Sequence, residues 1–462
     1  MNHLFLGIDI GTTAIKLGVI ADNQIIYQNQ IRLTTYHEEN RHYQLPQEIL
    51  DKLTDLLLDI PKEMKPQLKK MGISCAMHSL ILRHEQLEPL IYLWSDQQAA
   101  KVIQEFKTKE LAETFYLETG TPIHSMSPFA KIAYFKESLK KEVYQGVTWS
   151  GIKELVMEFL TGQAVLDYAT ASATGLFSSA SLDWSAQVLE YLELDPSHLS
   201  KLVDSKQGFL ISEDRARDIG LPLDLLVYAG ASDGCLAAYA SYYLTGNASS
   251  LTIGTSAAVR KVVTEPRYDW GGQNFSYYLT ENCYVIGAPS NNGGIALDWL
   301  AGILYDSRQQ LYDILPTVLA ETPIGSHGLV FKPFLNGERA PYWQQNLSAS
   351  FQQLTIKTSR QDIIKSVVEG MLLNIKQLVD LLGIKETVSM SGGFFQIPGM
   401  SQLLANVIDC PCYLSEQNEP IFGLYYLLEA PNLQQITPHQ EKIEPQPREA
   451  EAYQELSEKY FS

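Results

Sequence analysis

Leu4-Phe5-Leu6-Gly7-Ile8-Asp9-Ile10-Gly11-Thr12-Thr13 opens the chain as a short apolar run, interrupted by one carboxylate and ended by a glycine and two hydroxyls. Ile15, Leu17 and Val19 then alternate with Lys16 and Gly18, the period of a half-buried strand, so the segment reads as strand, turn, strand. Half a chain later the same grammar returns: Ser249-Ser250-Leu251-Thr252-Ile253, then Gly254-Thr255-Ser256, then Ala257-Ala258-Val259-Arg260-Lys261-Val262-Val263. Ile10-Gly11-Thr12-Thr13-Ala14 and Ile253-Gly254-Thr255-Ser256-Ala257 match at a constant offset of 243 residues. Two such hairpins, each opening a long mixed segment, indicate a duplicated α/β domain whose halves present hydroxyl-rich turns to a shared cleft.

Working outward, residues 45–60 read as an amphipathic helix, Gly72 to Ala76 as a strand and Lys131 to Leu139 as a helix. In the second half, Ile295 to Leu304 and Arg360 to Leu382 are helical, the latter with Ile363, Ile364, Val367, Val368, Met371, Leu372 and Ile375 on one face. Val388-Ser389-Met390-Ser391-Gly392-Gly393 reads as a strand entering a glycine turn, and residues 431–447 as a Pro/Gln/Glu-rich connector before a short last helix. The domain boundary is expected just after Asp233, giving residues 1–238 and 239–462.

The chain has 462 residues, ample for two domains with their own cores, and its 45% hydrophobic and 19% charged residues exclude a disordered chain. A net charge of −18 repels the backbone of nucleic acid. A membrane partner is not expected either, and no basic leader precedes the first strand, so the protein reads as cytoplasmic. The five cysteines form neither a disulfide framework nor a metal motif, Cys410-Pro411-Cys412 included.

Gly11-Thr12-Thr13 can aim backbone amides and hydroxyls at a phosphate, and so can Gly254-Thr255-Ser256. Asp9, just before the first turn, would then need a bridging Mg²⁺. Strand alternation leaves Lys16 free to face either phosphate or solvent. Asp233 follows Leu225-Leu226-Val227-Tyr228-Ala229-Gly230-Ala231-Ser232 and precedes a helix-compatible run. A carboxylate at such a corner is placed to accept a proton from an attacking hydroxyl, and the helix end favours its ionised form.

The segments 5–13, 230–234, 252–256 and Ser391-Gly392-Gly393-Phe394 resemble, in order, the motifs of FGGY carbohydrate kinases. The resemblance implies two ribonuclease-H-like domains of the actin and heat-shock-ATPase superfamily and ATP-dependent phosphorylation of a sugar hydroxyl in the cleft. It implies Asp233 as catalytic base and, with Asp9, as Mg²⁺ ligand. The implied ATP contacts are Gly11, Thr12, Thr13, Lys16, Gly254, Thr255, Ser256, Gly294, Asp298, Gly392, Gly393, Gln396 and Ile397. For the sugar, Met77, His78, Ser79, Trp94, Asp96 and Asp233 are implied, and a homodimer is suggested. Residues 119–128, 167–177 and Gly337-Glu338-Arg339-Ala340-Pro341-Tyr342-Trp343 resemble the gluconokinase branch more than the xylulokinase branch, pointing to gluconate as acceptor. A carboxylate needs a cationic or donor-rich pocket end, for which Lys131, His78, His124 and Arg339 are the candidates. Three segments depart from the family pattern: Gln98 where an arginine is usual, Phe394 to Pro398 after the glycine pair, and Glu419 to Tyr425 where small residues are usual. A xylulokinase or other polyol kinase is the alternative within the family, and a non-catalytic sugar sensor or sugar-independent ATPase the alternative outside it.

Overall fold

Each hairpin seeds a six-stranded sheet. A computed structural model describes residues 3–415, 420–430 and 442–460. In the first sheet Leu4–Ile10 pairs antiparallel with Ala14–Ala21, which pairs with Gln24–Arg32. On its other side Leu4–Ile10 runs parallel to Leu68–Cys75, and that strand runs parallel to Leu226–Ser232. The second sheet repeats this plan, with Ser249–Ile253 antiparallel to Ala257–Val263 and parallel to Val388–Ser391, beyond which lies Cys412–Leu414. Cys283–Ser290 stands beside this hairpin as Gln24–Arg32 does beside the first, and the edges differ: here the sixth strand, Phe275–Thr280, lies outside Cys283–Ser290, whereas in the first sheet Gly208–Leu210 lies beyond Leu226–Ser232.

Leu4–Ile10 is buried along its whole length, as a central strand covered on both faces must be. Leu4, Leu6, Ile8 and Ile10 pack with Ile49 and Leu53 of the helix Pro46–Leu58 and with Val156 of the helix Ile152–Thr161. Phe5 faces the other way, onto Ile421 and Leu424 of the helix Pro420–Glu429. Gly7 shares that face, where a Cβ would stand 2.7 Å from Ile421 Cγ2. The same parity carries Asp9 out along this face to the cleft, so period-two alternation alone aims the carboxylate.

The helix Asp233–Thr245 contains residue 238, the expected end of the first domain, and packs on Pro420–Glu429 between the two sheets. Gly423 makes that approach possible, since a Cβ there would meet Leu236 O at 2.2 Å. Bulky Phe422 therefore coexists with close helix packing; Glu419 and residues 431–441 lie outside the described residues. A smaller lobe built on Tyr36–Glu38, Arg41–Gln44, Ile91–Tyr92, Leu80–Arg83 and Thr148–Ser150 has its own aromatic core of Phe106, Phe115, Phe129 and Trp149. In the second domain the helix Arg360–Leu381 runs through the core, its N-terminus closed by Ser359 and Asp362, which each bond the other's backbone amide. Among the described residues no helix is long and apolar enough to cross a membrane.

Candidate active site

Two cavities meet between the domains. The larger, of about 800 Å³, is lined by Asp9 and Lys16 from the first hairpin and by Thr252, Ser391, Gly392, Gly393, Phe395 and Gln396 from the second domain. The smaller, of about 270 Å³, takes Met77, His78 and Trp94 from the first domain and Ser256, Tyr277 and Arg339 from the second. Asp233 and Arg260 line both, and so stand at the junction.

Asp233 reaches that point through a bulge. The strand Leu226–Ser232 loses register against Leu68–Cys75 between Tyr228 and Ala231, around Gly230 with φ +65°, where a Cβ would stand 2.2 Å from Ile73 O. The carbonyls freed by the bulge go to a buried ammonium: Lys153 Nζ donates to Ile73 O at 2.6 Å, to Ala231 O at 3.3 Å and to Ala229 O. Asp167 pairs with Lys153 at 3.1 Å, both side chains being wholly buried, and accepts from the Thr170 amide and hydroxyl at 2.7 and 2.8 Å. A buried ion pair with its remaining lone pairs satisfied thus holds the strand end from which Asp233 projects.

Burial raises the Asp233 carboxyl above its ordinary value, against the opposing pull of the Gly234 amide, Arg260 and Lys153. The helix end by itself would favour the ionised form, but desolvation outweighs it. The Gly234 amide donates to Asp233 Oδ1 at 2.7 Å and fixes the carboxylate against the first turn.

In the smaller cavity His78 sits at φ +68°, a left-handed conformation that costs a non-glycine residue about 1–3 kcal/mol. Its Nδ1 donates to Ala173 O at 2.8 Å, leaving Nε2 as an acceptor, and burial lowers the imidazole to about 3, so the ring is neutral. Arg339 Nη2 donates to Ser290 O at 2.9 Å, the guanidinium lies 5.2 Å from the Trp94 ring centroid, and Nε is buried without a hydrogen-bond partner among the described residues. Glu338 beside it accepts from the Ser290 hydroxyl, the Asn291 and Arg339 amides and the Asn292 and Asn374 side chains, at 2.7–3.1 Å. In this segment Glu338 is therefore structural and Arg339 faces the cavity.

Several expected contacts are directed elsewhere. Ser79 Oγ accepts from the Ile152 amide at 3.0 Å, and Asp96 accepts from the His42 and Gln98 amides at 3.1 and 3.2 Å. Neither lines either cavity. Gln98, in the place of the usual arginine, donates to Tyr134 OH at 3.2 Å. Lys131 is turned onto the carbonyls of His78 and Met126, and His124 Nδ1 accepts from the Met126 amide at 3.2 Å. Asp298 pairs with Arg308 at 2.9 Å on the helix Ile295–Leu304, and Ile397 is buried in the core, so neither faces the larger cavity. Thr13, Gly254 and Thr255 are exposed at their turns, whereas Thr12 and Ser256 reach the smaller cavity. Gly11 closes its turn on Ala14 O at 3.0 Å, and the Gly294 amide donates to Gly254 O at 2.7 Å.

Arg260, which lines both cavities, is not set apart by sequence pattern from the strand that carries it. The available signal was parity: Ser256, Ala258 and Arg260 share one face of a strand whose alternate residues Ala257 and Val259 are core.

A carboxylate at the meeting point of a long cleft and a smaller polar cavity, between two domains of ribonuclease-H-like fold, defines a phosphotransferase acting on a bound hydroxyl compound. The chain belongs to the FGGY family of carbohydrate kinases, residues 4–240 matching the N-terminal domain and residues 249–426 the C-terminal domain. It is a carbohydrate kinase with ATP as phosphate donor. Over 450 residues it is 31% identical to the gluconokinase of Bacillus subtilis (strain 168), covering 92% of this chain and 88% of that one. The gluconate kinase structure from Lactobacillus acidophilus superposes with a TM-score of 0.92 at 27% identity, covering 100% of this chain and 97% of that one. The ligand-bound xylulose kinase structure from the same organism gives a TM-score of 0.92 at 28% identity, covering 99% and 97%.

Proposed function

We propose that this kinase phosphorylates D-gluconate at its 6-hydroxyl, giving 6-phosphogluconate and ADP. The observation that carries the reading is Arg339, whose Nε, buried and without a hydrogen-bond partner among the described residues, belongs to a guanidinium lining the smaller cavity and not the larger one. A sugar carboxylate there would meet a fork-shaped cation, while the hydroxyl at the other end of the chain meets Asp233. His78 Nε2 accepts from a sugar hydroxyl, and Met77 and Trp94 supply apolar walls. The bacterial relatives called gluconokinase and gluconate kinase support the same choice.

In the transfer step Asp233 takes the proton of the 6-hydroxyl as its oxygen bonds to the γ-phosphorus, and the bond to the β–γ bridging oxygen breaks with its electron pair leaving on ADP. The Gly392-Gly393 turn admits the nucleotide backbone, with Phe395 and Gln396 beside it, and Lys16 faces the phosphates. Among the described residues Asp9 and Asp233 are the carboxylates lining the larger cavity, and no group of three or more acidic, His or Cys side chains able to hold a metal occurs. That set fits Mg²⁺, which takes one or two carboxylates and fills its shell with phosphate oxygens and water. When bound, Mg²⁺ neutralises charge on the phosphates. We place the reaction in the cytoplasm, where ATP is available.

An ADP-release assay with Mg²⁺–ATP against D-gluconate, D-xylulose, glycerol and no sugar tests this reading. Turnover with gluconate is expected, and preference for xylulose would overturn it in favour of a ketose kinase. Arg339→Met should raise the gluconate KM about 10–100-fold, the worth of a hydrogen bond to a charged group, with a smaller effect on a neutral acceptor.

A further inference from the structure

Arg260 is the remaining guanidinium at the junction, and its surroundings separate its role from that of Arg339. It projects from the strand Ala257–Val263 of the second domain and lies against the first turn of the helix that begins with Asp233. A Cβ on Gly234 would stand 3.4 Å from both Nε and Nη2 of Arg260. Its Nε is buried and has no hydrogen-bond partner among the described residues. Among the described residues only Arg260 and Asp233 line both cavities, whereas Arg339 lines the smaller one alone. A group shared by the nucleotide cavity and the sugar cavity is adjacent to the atom that passes between them.

We propose that Arg260 is a catalytic residue that donates to the γ-phosphoryl group in flight, stabilising charge that develops as the group leaves ADP and before it is fully bonded to the sugar. The proposal rests on phosphoryl transfer through this junction, not on the identity of the sugar. The acceptor oxygen forms its bond to phosphorus, its proton goes to Asp233, the bond from phosphorus to the bridging oxygen breaks, and the electron pair leaves with ADP. Arg260 neither gains nor loses a proton. Its planar fork faces oxygens that carry spread charge in the transition state, which is where a fixed donor contributes most. Because Arg260 comes from the second domain and Asp233 from the end of the first sheet, the two groups act on opposite partners of one transfer.

The test compares wild type, Arg260→Gln and Arg260→Lys on D-gluconate and on a neutral acceptor, D-xylulose or glycerol, using whichever of them wild type turns over. Arg260→Gln should lower kcat about 10²- to 10³-fold on every acceptor used, with KM for acceptor and for ATP changed by less than about threefold. Slow ATP hydrolysis without sugar should fall in parallel. Arg260→Lys, which keeps the charge and loses the fork, should recover part of the loss, and it serves in place of the Gln variant if that variant melts well below wild type. Loss confined to gluconate, seen as a raised KM with kcat retained, would overturn the proposal and make Arg260 a carboxylate ligand. Unchanged kcat on all acceptors would also overturn it. Failure of gluconate as a substrate of wild type would sink the acceptor assignment and leave Arg260 testable on the neutral sugar.

Discussion

The two halves of the molecule place the same pair of strand positions side by side and fill them differently. In the first, Asp9 lies opposite Ser74 on the parallel neighbour, and the serine hydroxyl donates to its carboxylate at 2.7 Å. In the second, Thr252 lies opposite Ser391, hydroxyl to hydroxyl at 3.0 Å. The turns differ as well: Ile10 faces Ile15 across the first, while Ile253 faces Ala257 across the second, a loop one residue shorter. The first turn is braced by the Gln44 side chain, which donates to Thr12 O at 2.7 Å, and the second by the Gly293 and Gly294 amides at 3.2 and 2.7 Å. Beyond the parallel strand, one half delivers Met77 and His78 to the smaller cavity and the other Gly392 and Gly393 to the larger. The two halves share the hairpin and its parallel neighbours, and differences at a few strand ends give one half the carboxylates and the other the glycine bed.

The sharpest break in this comparison is Asp233, whose counterpart strand end carries Leu414 and Ser415. Asp233→Asn should lower kcat by about 10²–10⁴-fold in the ADP-release assay, the scale expected for loss of a general base. The same variant should melt higher at neutral pH. Burial raises the Asp233 carboxyl in the folded state, so its contribution to stability is present below the unfolded pKa and lost as pH rises through the folded one. Melting curves taken from acid to neutral pH should show the gap between wild type and the Asn variant opening as the pH rises.

Lys153→Met should cost about 3–5 kcal/mol in denaturant unfolding, because Asp167 is left buried and unpaired, and Lys153→Met with Asp167→Asn should recover much of it. An equal loss in the single and double variants would mean that the freed carbonyls, not the ion pair, dominate. Gly392→Ala tests the glycine bed. With φ at +111° and a Cβ 2.1 Å from Ile253 O, it should lose about 1–3 kcal/mol and bind ATP more weakly. Thr252→Val is the mildest change, removing one hydrogen bond for about 0.5–1.5 kcal/mol. A large activity loss there would show that the second half contributes more than a surface for the nucleotide.

Much of this was written in local pattern. The paired hairpins, the helix Arg360–Leu381 and the strand-to-helix corner at Asp233 follow from alternation, helical period and glycine placement, which need only neighbours in sequence. What could not be read was competition for side chains by backbone distant in sequence. Ser79 is taken by the Ile152 amide, Asp96 by that of His42, and Lys131 by the carbonyl of His78, contacts visible only after folding. The bulge that makes Lys153 necessary is likewise a property of the sheet, since nothing in Tyr228-Ala229-Gly230-Ala231 announces which carbonyls will be orphaned. Arg260 was hidden by an ordinary strand pattern, although its parity with Ser256 was available.

The stacking of Arg339 on Trp94 joins side chains from opposite domains at the smaller cavity. Any separation of the domains takes that cavity apart, so on the proposed placement of the sugar there, its measured affinity is an intrinsic affinity multiplied by the fraction of molecules in which the cavity is assembled. A nucleotide that draws the domains together raises this fraction, and by thermodynamic reciprocity the sugar tightens the nucleotide by the same factor. Trp94, an indole at that seam, is positioned to report the assembled fraction directly by its fluorescence.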